Sequence, residues 1–382
     1  MFKRVLDLNK YKQSFFLFGP RQVGKTFLIK STLSPDLYIN LVDPDAFKRY
    51  SRNPSLLSKE IASLKKERCQ VVIDEVQRLP DLLNEVQLIM DNRGNVQFIL
   101  TGSSARKLRR AGVNLLGGRA IILHLHPLTQ AEIGDEFILD EALRFGSIPN
   151  LVKEKDPENR VRLLKGYVEI YLKEEVQQEA LVRNIPAFSR FLELAAHENG
   201  NVLNFQNIAR ETGVHSKTIK EYFEILEDTL LGFLLLPFGK SPRRKVISHP
   251  KFYFFDTGVV SALKGEAAGE LIPGTAPYGK AFEHFIFLET KRWLDYRERE
   301  AKLSFFRTSD GTEVDFIMER GKEVWAVEVK ASSEQRLSDV RGLRSFMRDH
   351  QLRRSICVCL SPRAFTDGGV EFLPWQEFLR EI

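Results

Sequence analysis

Gly19-Pro20-Arg21-Gln22-Val23-Gly24-Lys25-Thr26 is the stretch that decides the fold of the first part of the chain. It fits the pattern G-x-x-x-x-G-K-[ST], which is typical of loops that bind nucleotide phosphates. The apolar residues 15–18 before it predict a buried strand, and residues 26–32 after it predict a helix. Strand, loop and helix in this order are the context that the pattern requires. We therefore predict that residues 19–26 bind ATP or GTP, a choice that the motif alone does not settle.

Each part of this loop has an expected role in holding a nucleotide with Mg²⁺. Gly19 and Gly24 allow the backbone to curl so that successive N–H groups point at phosphate oxygens. The helix that follows presents its positive N-terminal end to the same anion. Lys25 is expected to reach the β- and γ-phosphates, and the Thr26 hydroxyl is expected to bind the magnesium.

A second motif, Val71-Val72-Ile73-Asp74-Glu75-Val76, has the form of a Walker-B strand. In an open parallel sheet such a strand delivers the acids at its end to the edge where ligands bind. We expect Asp74 to hold the magnesium and Glu75 to polarise the attacking water. The apolar strand 96–100 ends at Thr101, which either senses the γ-phosphate or caps the next helix, and both interpretations stay open.

Composition indicates an ordinary globular protein of two or three domains. The chain has 382 residues, of which 43% are hydrophobic and 28% are charged, with a net charge of +6. No apolar run approaches the roughly 20 residues of a membrane helix, and the start lacks a signal-peptide core. Three cysteines without metal-ligand spacing fit reduced thiols. We therefore predict a cytoplasmic protein with no membrane partner, whose mild positive charge permits nucleic-acid binding without proving it.

The pattern from about residue 14 to 130 alternates short apolar strands with helices. This predicts an α/β fold in which a mostly parallel sheet is covered by helices on both faces. The predicted strands are 15–18, 38–42, 71–74, 97–100 and 120–125.

The middle of the chain predicts helices. Residues 207–223 predict a helix-turn-helix around Gly213, followed by a wing made from Leu230–Phe238. Within it, Lys217, Thr218 and Lys220 either face DNA phosphates or form a solvated helix face. The basic segment that follows, Lys240–Lys245, is either a linker or a loop.

The last segment of the chain places several charged residues at strand spacing. Glu313 and Asp315 alternate with apolar residues on one predicted strand, and Glu328 and Lys330 do so on the next. Because side chains alternate along a strand, each pair shares a face. One interpretation is an amphipathic hairpin with a solvated polar face. The other is the site of a metal-dependent nuclease.

In the nuclease interpretation, Asp315 and Glu328 bind one or two Mg²⁺ or Mn²⁺ ions, which carboxylate oxygens suit. Lys330 positions or helps to deprotonate the attacking water, and Glu283 completes the metal site from a predicted helix. The metal activates the water and neutralises the charge that develops at phosphorus. A later helix with Arg341, Arg344 and Arg348 on one face either contacts a phosphate backbone or is solvated.

Taken together, these residues resemble a large prokaryotic family of AAA-like ATPases that ends in a restriction-endonuclease-like domain. The resemblance also rests on Leu116-Gly117-Gly118-Arg119, His126-Pro127-Leu128 and Tyr253-Phe254-Phe255-Asp256-Thr257-Gly258. It implies an AAA+ core over residues 1–130, a helical and winged-helix domain over 131–245, and a domain similar to the PD-(D/E)xK nucleases over 246–382. It further implies that Arg119 is an arginine finger or sensor, so that hydrolysis depends on a neighbouring subunit of a homo-oligomer.

The sequence therefore favours an ATP-hydrolysing, DNA-binding protein whose C-terminal domain is a magnesium-dependent endo- or exodeoxyribonuclease. Two alternatives are open. One is a nucleotide-dependent switch whose nuclease-like domain only binds a partner, and the other is an ATPase that remodels a protein. The presence of Glu283, Asp315, Glu328 and Lys330 together favours the nuclease over both.

Overall fold

The computed structural model describes residues 2–103, 106, 108, 116–172, 184–239 and 247–382, so the basic segment Lys240–Lys245 lies outside the described residues. The chain divides into two compact units. Unit 1 consists of Met1–Glu132 with Asp228–Leu231, and unit 2 consists of Ile133–Glu227 with Gly232–Ile382.

Unit 1 contains a five-stranded parallel sheet in the order β2-β3-β4-β1-β5, which confirms the predicted α/β fold of this part of the chain. All five residues of β1 are buried, as expected for a central strand that helices cover on both faces. The strands are β1 (Ser14–Phe18), β2 (Leu37–Asn40), β3 (Cys69–Asp74), β4 (Val96–Gly102) and β5 (Ala120–His124). The helices are α1 (Lys25–Thr32), α2 (Pro44–Arg52), α3 (Leu56–Ser63), α4 (Leu82–Asn92) and α5 (Gln130–Ile133), of which the last residue belongs to unit 2.

Unit 2 begins with helices and ends with a second sheet. Its α-helices are α6 (Leu139–Phe145), α7 (Pro149–Lys153), α8 (Pro157–Gly166), α9 (Ile185–His197), α10 (Phe205–Thr212), α11 (Ser216–Asp228, of which the last residue belongs to unit 1), α12 (Thr257–Leu263), α13 (Ala276–Tyr296), α14 (Arg341–Asp349) and α15 (Trp375–Glu381). Its strands are β6 (Gly232–Pro237), β7 (Lys251–Phe254), β8 (Lys302–Arg307), β9 (Glu313–Arg320), β10 (Glu323–Lys330), β11 (Arg354–Cys359), β12 (Phe365–Asp367) and β13 (Val370–Pro374).

The second sheet has eight strands in the order β12-β13-β11-β10-β9-β8-β6-β7. The predicted hairpin of residues 313–330 forms at its centre as β9 and β10. Apolar side chains cover both faces of the sheet: Phe282 and Ile286 of α13 belong to one core cluster, and Leu343 and Phe346 of α14 belong to the other. A fully solvated polar face on this hairpin is therefore wrong, because Asp315 and Glu328 are buried.

The helix-turn-helix prediction matches α10 and α11. Helix α10 ends at Gly213, which has a left-handed φ of 73°, and α11 begins at Ser216. The segment Leu230–Phe238, predicted to form a wing, contains the single strand β6, and its role as a wing stays a prediction. That strand pairs antiparallel with β7 and parallel with β8, and so belongs to the eight-stranded sheet.

Among the described helices, none combines the length and the apolar character that crossing a membrane requires.

Candidate functional site

The phosphate-binding loop follows β1 and leads into α1, as the motif requires. Gly24 caps α1 with a φ of 96°, a left-handed conformation that favours glycine. A Cβ atom at Gly19 would lie 2.2 Å from the carbonyl oxygen of Leu125, so only glycine fits there. The loop therefore needs both glycines for its shape alone.

Lys25 is buried inside this loop. Its Nζ donates to the carbonyl oxygens of Gly19, at 2.7 Å, and of Pro20, at 3.0 Å. Two hydrogen bonds from the ammonium group to the loop backbone hold the positive charge where successive loop N–H groups also gather. The arrangement can attract an anion without a large rearrangement of the side chain.

Asp74 collects three hydroxyl groups at the end of β3. Its Oδ2 accepts from Thr26 Oγ1 at 2.8 Å and from the Tyr38 hydroxyl at 2.6 Å, while its Oδ1 accepts from Thr101. Burial, together with the bond to Asp74, raises the pKa of Tyr38, so this hydroxyl stays a donor. The structure thus brings the predicted Thr26, Asp74 and Thr101 together and adds Tyr38, which sequence reasoning missed.

The donor atoms at Asp74 fit a magnesium ion. A carboxylate and a hydroxyl oxygen are hard ligands of the kind that Mg²⁺ prefers, usually with phosphate oxygens and water. Thr26 and Asp74 are the residues that would hold the ion, and they are in hydrogen-bond contact.

Glu75 follows directly in a left-handed conformation, with φ 60° and ψ 46°. Such a conformation is uncommon for a residue other than glycine, and in folded proteins it concentrates at functional sites. The Glu75 N–H donates to Thr101 Oγ1 at 3.1 Å, and the carboxylate accepts from Gln77 Nε2. Gln77 also donates to Ser103 Oγ at 3.2 Å, so it positions Glu75 against the end of β4. Sequence reasoning missed Gln77 as well.

Arg4 braces the loop from the N-terminal segment. Its guanidinium donates to the carbonyl oxygens of Val23, at 3.2 Å, and His126, at 2.6 Å. It also forms a buried ion pair with Glu132 at 3.0 Å. An arginine this far from the motif in sequence gives no local signal of its contact with the loop.

Arg119 lies away from the nucleotide loop of its own chain. It directly precedes β5, whereas the loop follows the C-terminal end of β1, and the two strands are parallel neighbours. Arg119 therefore sits at the opposite edge of the sheet. Its Nε pairs with Asp91 at 2.8 Å, and both side chains are about two-fifths exposed (40% and 43%).

A second group of charged residues lies in unit 2, and we call it the carboxylate cluster: Glu283, Glu313, Asp315 and Glu328 with Lys251 and Lys330. Asp315 and Glu328 are each only 8% exposed. Asp315 Oδ2 accepts from the Val329 N–H at 2.8 Å, and Glu328 Oε1 accepts from Lys330 Nζ at 2.6 Å. The two predicted carboxylates, Asp315 on β9 and Glu328 on β10, are therefore buried on neighbouring strands.

Lys251 and Tyr253 of β7 complete this cluster, and neither was predicted. Lys251 Nζ lies 2.7 Å from Glu313 Oε1 and 3.5 Å from Glu283 Oε1. The Tyr253 hydroxyl donates to the same Glu283 oxygen at 2.5 Å. A lysine at the start of an otherwise apolar, fully buried strand was the signal in the sequence that could have revealed it.

Mutual repulsion and burial shift the protonation of the cluster. Burial raises the pKa of Asp315 well above its usual value, and the charges of Glu328 and Glu283 raise it further. Burial also raises the pKa of Glu328, although Lys330 opposes this. Burial alone would lower the pKa of Lys251, yet the surrounding carboxylates, Glu283 first, raise it. Burial and the neighbouring carboxylates therefore oppose ionisation of Asp315 in the folded state.

The fit of a metal ion to this cluster rests on one orphaned atom. Glu328 Oε2 is buried and has no hydrogen-bond partner among the residues that the structure describes. In the part of the chain that the structure describes, no three His, Cys, Asp or Glu side chains are already arranged around a common metal position. Glu283 and Glu313 are both paired with the Lys251 ammonium group. Asp315 and Glu328 are thus the pair whose donor atoms fit a hard cation.

Comparison with known proteins supports the nucleotide site. Residues 11–134 match an AAA domain, so this part of the chain is a P-loop AAA-like ATPase domain. Residues 136–269 and 278–378 match two domains of unknown function, DUF8612 and DUF4143.

Relatives of nearly full length exist in bacteria and archaea. An uncharacterized protein of Mycobacterium tuberculosis is 26% identical over 349 residues, which cover 90% of this chain and 75% of that protein. An uncharacterized protein of Methanocaldococcus jannaschii is 24% identical, with coverage of 95% and 84%. A crystal structure of protein VC1899 from Vibrio cholerae aligns over 90% of this chain and 91% of its own at 12% identity, but its TM-score of 0.19 supports no conclusion.

Proposed function

We propose that the chain hydrolyses ATP in unit 1 and cuts DNA with a magnesium-dependent site in unit 2. In unit 1, the loop N–H groups and Lys25 bind the phosphates, and Thr26 and Asp74 hold the magnesium. Glu75, positioned by Gln77, accepts the proton of the attacking water. Thr101, which bonds both Asp74 and the Glu75 backbone, couples the metal site to the base.

One observation carries the nuclease part of the proposal: beside Asp315, Glu328 keeps a buried carboxylate oxygen that has no partner within the described part of the chain. A buried acceptor that lacks a partner is destabilising, and folded proteins rarely retain one without a use. A divalent cation bound there would activate water and offset charge at a phosphodiester. Asp315 and Glu328 would hold the cation, Glu283 would support it from α13, and Lys330 would orient the water.

The experiment measures metal binding and DNA cleavage separately. All three tryptophans of the chain, Trp293, Trp325 and Trp375, belong to unit 2. Tryptophan fluorescence therefore follows the melting of unit 2, and a cation that binds only the folded cluster raises its melting temperature. We expect Mg²⁺ or Mn²⁺ to do so without nucleotide, and we expect cleavage of single-stranded, linear or plasmid DNA.

Substitutions assign the roles. Asp315→Ala and Glu328→Ala should abolish both the metal-dependent shift and cleavage. Lys330→Ala should abolish cleavage and keep the shift, because an ammonium group is not a metal ligand. All three variants should retain the ATPase activity of unit 1. The nuclease proposal fails if neither metal shifts the melting temperature and no DNA is cut with or without ATP.

The ion pairs of Lys251 favour a second candidate, a nucleotide-dependent switch whose nuclease-like domain binds a partner without cutting it. Lys251 already neutralises part of the cluster that a metal would otherwise neutralise. The two candidates differ in Lys251→Met. In the switch, Lys251 only neutralises the acids, so Lys251→Met should destabilise unit 2 and added metal should not restore its stability. In the nuclease, Mg²⁺ should restore stability to that variant.

Three further parts of the proposal rest on the sequence. The chain consists of an ATPase domain over 1–130, a helical domain over 131–245 and a nuclease-like domain over 246–382. It forms a homo-oligomer in which Arg119 serves the neighbouring ATP site. It works in the cytoplasm, with DNA as its partner, or with a protein partner if the switch is correct.

A further inference from the structure

A cleft of about 710 Å³ opens in unit 2 between the helix-turn-helix and the eight-stranded sheet. Lys217 and Lys220 of α11 line one side of it, and Arg307 of β8 lines the other, with the exposed ring of His249 and the half-buried ring of Phe205 between them. We propose that this cleft binds a single strand of DNA and directs it to the carboxylate cluster. The inference rests on the proposed function, since it names the form of DNA that the cluster receives.

Charge is the first argument. None of the described residues that line the cleft is acidic. Lys217 and Lys220 are exposed, and neither forms an ion pair with another described residue. Two unpaired lysines facing an arginine in a concave surface attract a phosphate backbone, and the first turns of α10 and α11 add their positive ends.

The rings are the second argument. Phe205 and His249 lie with their ring centroids 5.9 Å apart at an angle of 52°. A basic groove with aromatic rings on which bases stack is the combination that single-stranded nucleic acid requires, because an unpaired base exposes its faces. In a duplex those faces are covered by neighbouring base pairs.

The shape of the cleft argues against a duplex. A helix that reads double-stranded DNA projects into a major groove about 12 Å wide. Here Lys217 and Lys220 line a concave cleft together with Arg307 and His249.

A row of ion pairs connects the cleft with the carboxylate cluster. Arg307 NH1 lies 3.3 Å from Glu313 Oε2, and the other oxygen of Glu313 lies 2.7 Å from Lys251 Nζ. Arg307 and Lys251 therefore pair with the same carboxylate, and Lys251 also pairs with Glu283. A strand that holds a phosphate on Arg307 has its next phosphates within reach of the cluster.

The test measures the binding of fluorescent 12-nucleotide DNA by polarisation in EDTA without nucleotide, so that cleavage plays no part. We expect the single strand to bind more tightly than a 12-base-pair duplex. With three phosphate contacts, a plot of the logarithm of the binding constant against the logarithm of the salt concentration should have a slope of about −2. In the double variant Lys217→Gln/Lys220→Gln the slope should be shallower, about −0.7. That variant should weaken binding roughly 10- to 30-fold at 0.1 M salt, and His249→Ala should weaken it at least about fivefold.

The control is the double variant Lys165→Gln/Lys322→Gln, which removes the same charge from exposed lysines that do not line the cleft. It should bind like the wild type. Equal binding by the two double variants, or a duplex that binds as tightly as the single strand, overturns the inference. If single strands bind in the cleft but no metal supports cleavage, the nuclease proposal is rejected and the cleft inference is kept. If DNA is cut and the cleft variants cut it as well as the control does, the cleft inference is rejected and the nuclease proposal is kept.

Discussion

Lys25 and Glu75 carry different kinds of charge to the nucleotide site, and their substitutions should separate binding from hydrolysis. Lys25 offers a fixed positive charge within the loop, whereas Glu75 offers a carboxylate at the end of β3. We expect Lys25→Ala to abolish tight ATP binding. Glu75→Gln should keep binding and lower turnover by roughly 10²- to 10⁴-fold, since in the proposed mechanism it removes only the general base. Nucleotide affinity and phosphate release measure the two effects.

Lys48→Ala is a suitable control, because Lys48 is an exposed lysine on α2 outside the loop. It should match the wild type in both assays. Equal turnover by the wild type and both site variants would show that the loop is not the catalytic site.

Asp315 gives the cluster a measurable pH dependence. Its pKa is raised in the folded state by burial and by Glu328, so the folded protein holds the proton more tightly than the unfolded chain does. The contribution of Asp315 to the free energy of unfolding is then greatest below the pKa of the unfolded chain, about 3.9. It is lost as the pH rises through the higher pKa of the folded state. Asp315→Asn removes this loss and keeps an acceptor for the Val329 N–H. We expect it to stabilise metal-free unit 2 at pH 8 by about 1 kcal/mol or more.

Urea unfolding followed by tryptophan fluorescence at pH 5 and pH 8 in EDTA measures this difference. Asp367→Asn serves as the control, because Asp367 is exposed on β12 and should show the pH dependence of the wild type. If Asp315→Asn is less stable than the wild type at pH 8, the Asp315 carboxylate is stabilised in the metal-free protein and its pKa is not raised by the fold.

At the scale of single residues, the sequence revealed the side chains that belong to ordered motifs. The loop, Asp74 and the acids of β9 and β10 have spacings that local geometry explains. Tyr38, Gln77 and Lys251 carry no such spacing, because their contacts depend on which strands become neighbours in the sheet. Tyr38 reaches Asp74 only because β2 pairs with β3.

At the scale of elements, the junction of α6 and α12 explains one of the motifs by structure alone. Asp256 is fully buried and caps α12 by accepting from the Gly258 and Val259 N–H groups, and it also accepts from Ser147 N–H at 2.8 Å. Gly146, which ends α6, has φ 75° and ψ −161°, a region that only glycine adopts readily. The Asp-Thr-Gly part of residues 253–258 therefore locks two helices together.

Gly146→Ala should accordingly be strongly destabilising. The new Cβ atom would lie 1.9 Å from Asp256 Oδ1, and the backbone would also be strained. We expect a loss of roughly 3 kcal/mol or more in the free energy of unfolding of unit 2. Gly265→Ala is the matched control, because Gly265 has a similar φ of 73° but open space at the Cβ position. It should lose only about 1–2 kcal/mol, from backbone strain alone. Equal losses would mean that the contact with Asp256 adds nothing.

Strand β6 shows why elements are easier to predict than their partners. The apolar run within Leu230–Phe238 indicated a strand, and a strand forms there. Its partners β7 and β8 follow about 15 and 65 residues later, and pairing over such separations depends on tertiary packing that local sequence does not report. The parallel pairing of β6 with β8 was therefore not predicted, whereas the parallel sheet of unit 1 was, because βα alternation restricts its pairing.

At the scale of the whole molecule, the position of Arg119 requires more than one chain for any role in hydrolysis. In its own chain it lies at the sheet edge opposite the loop and pairs only weakly with Asp91, since exposed ion pairs contribute about 0–1 kcal/mol. If it serves a neighbour, Arg119→Ala should lower the ATPase rate by up to roughly 10³- to 10⁵-fold without weakening ATP binding. Wild-type activity should also rise more than linearly with protein concentration.

A mixing experiment tests this directly. Arg119→Ala protein keeps an intact loop but supplies no finger, and Lys25→Ala protein supplies the finger but binds no ATP. Mixed in equal amounts, the two inactive variants should regain activity, because some loops then meet a neighbour's Arg119. Asp91→Ala is the control for the surface ion pair: it removes the partner of Arg119 and leaves the arginine free to act, so it should remain active. Activity that stays linear in protein concentration, with no recovery on mixing, would make Arg119 a surface residue of the sheet and would leave each chain to hydrolyse ATP alone.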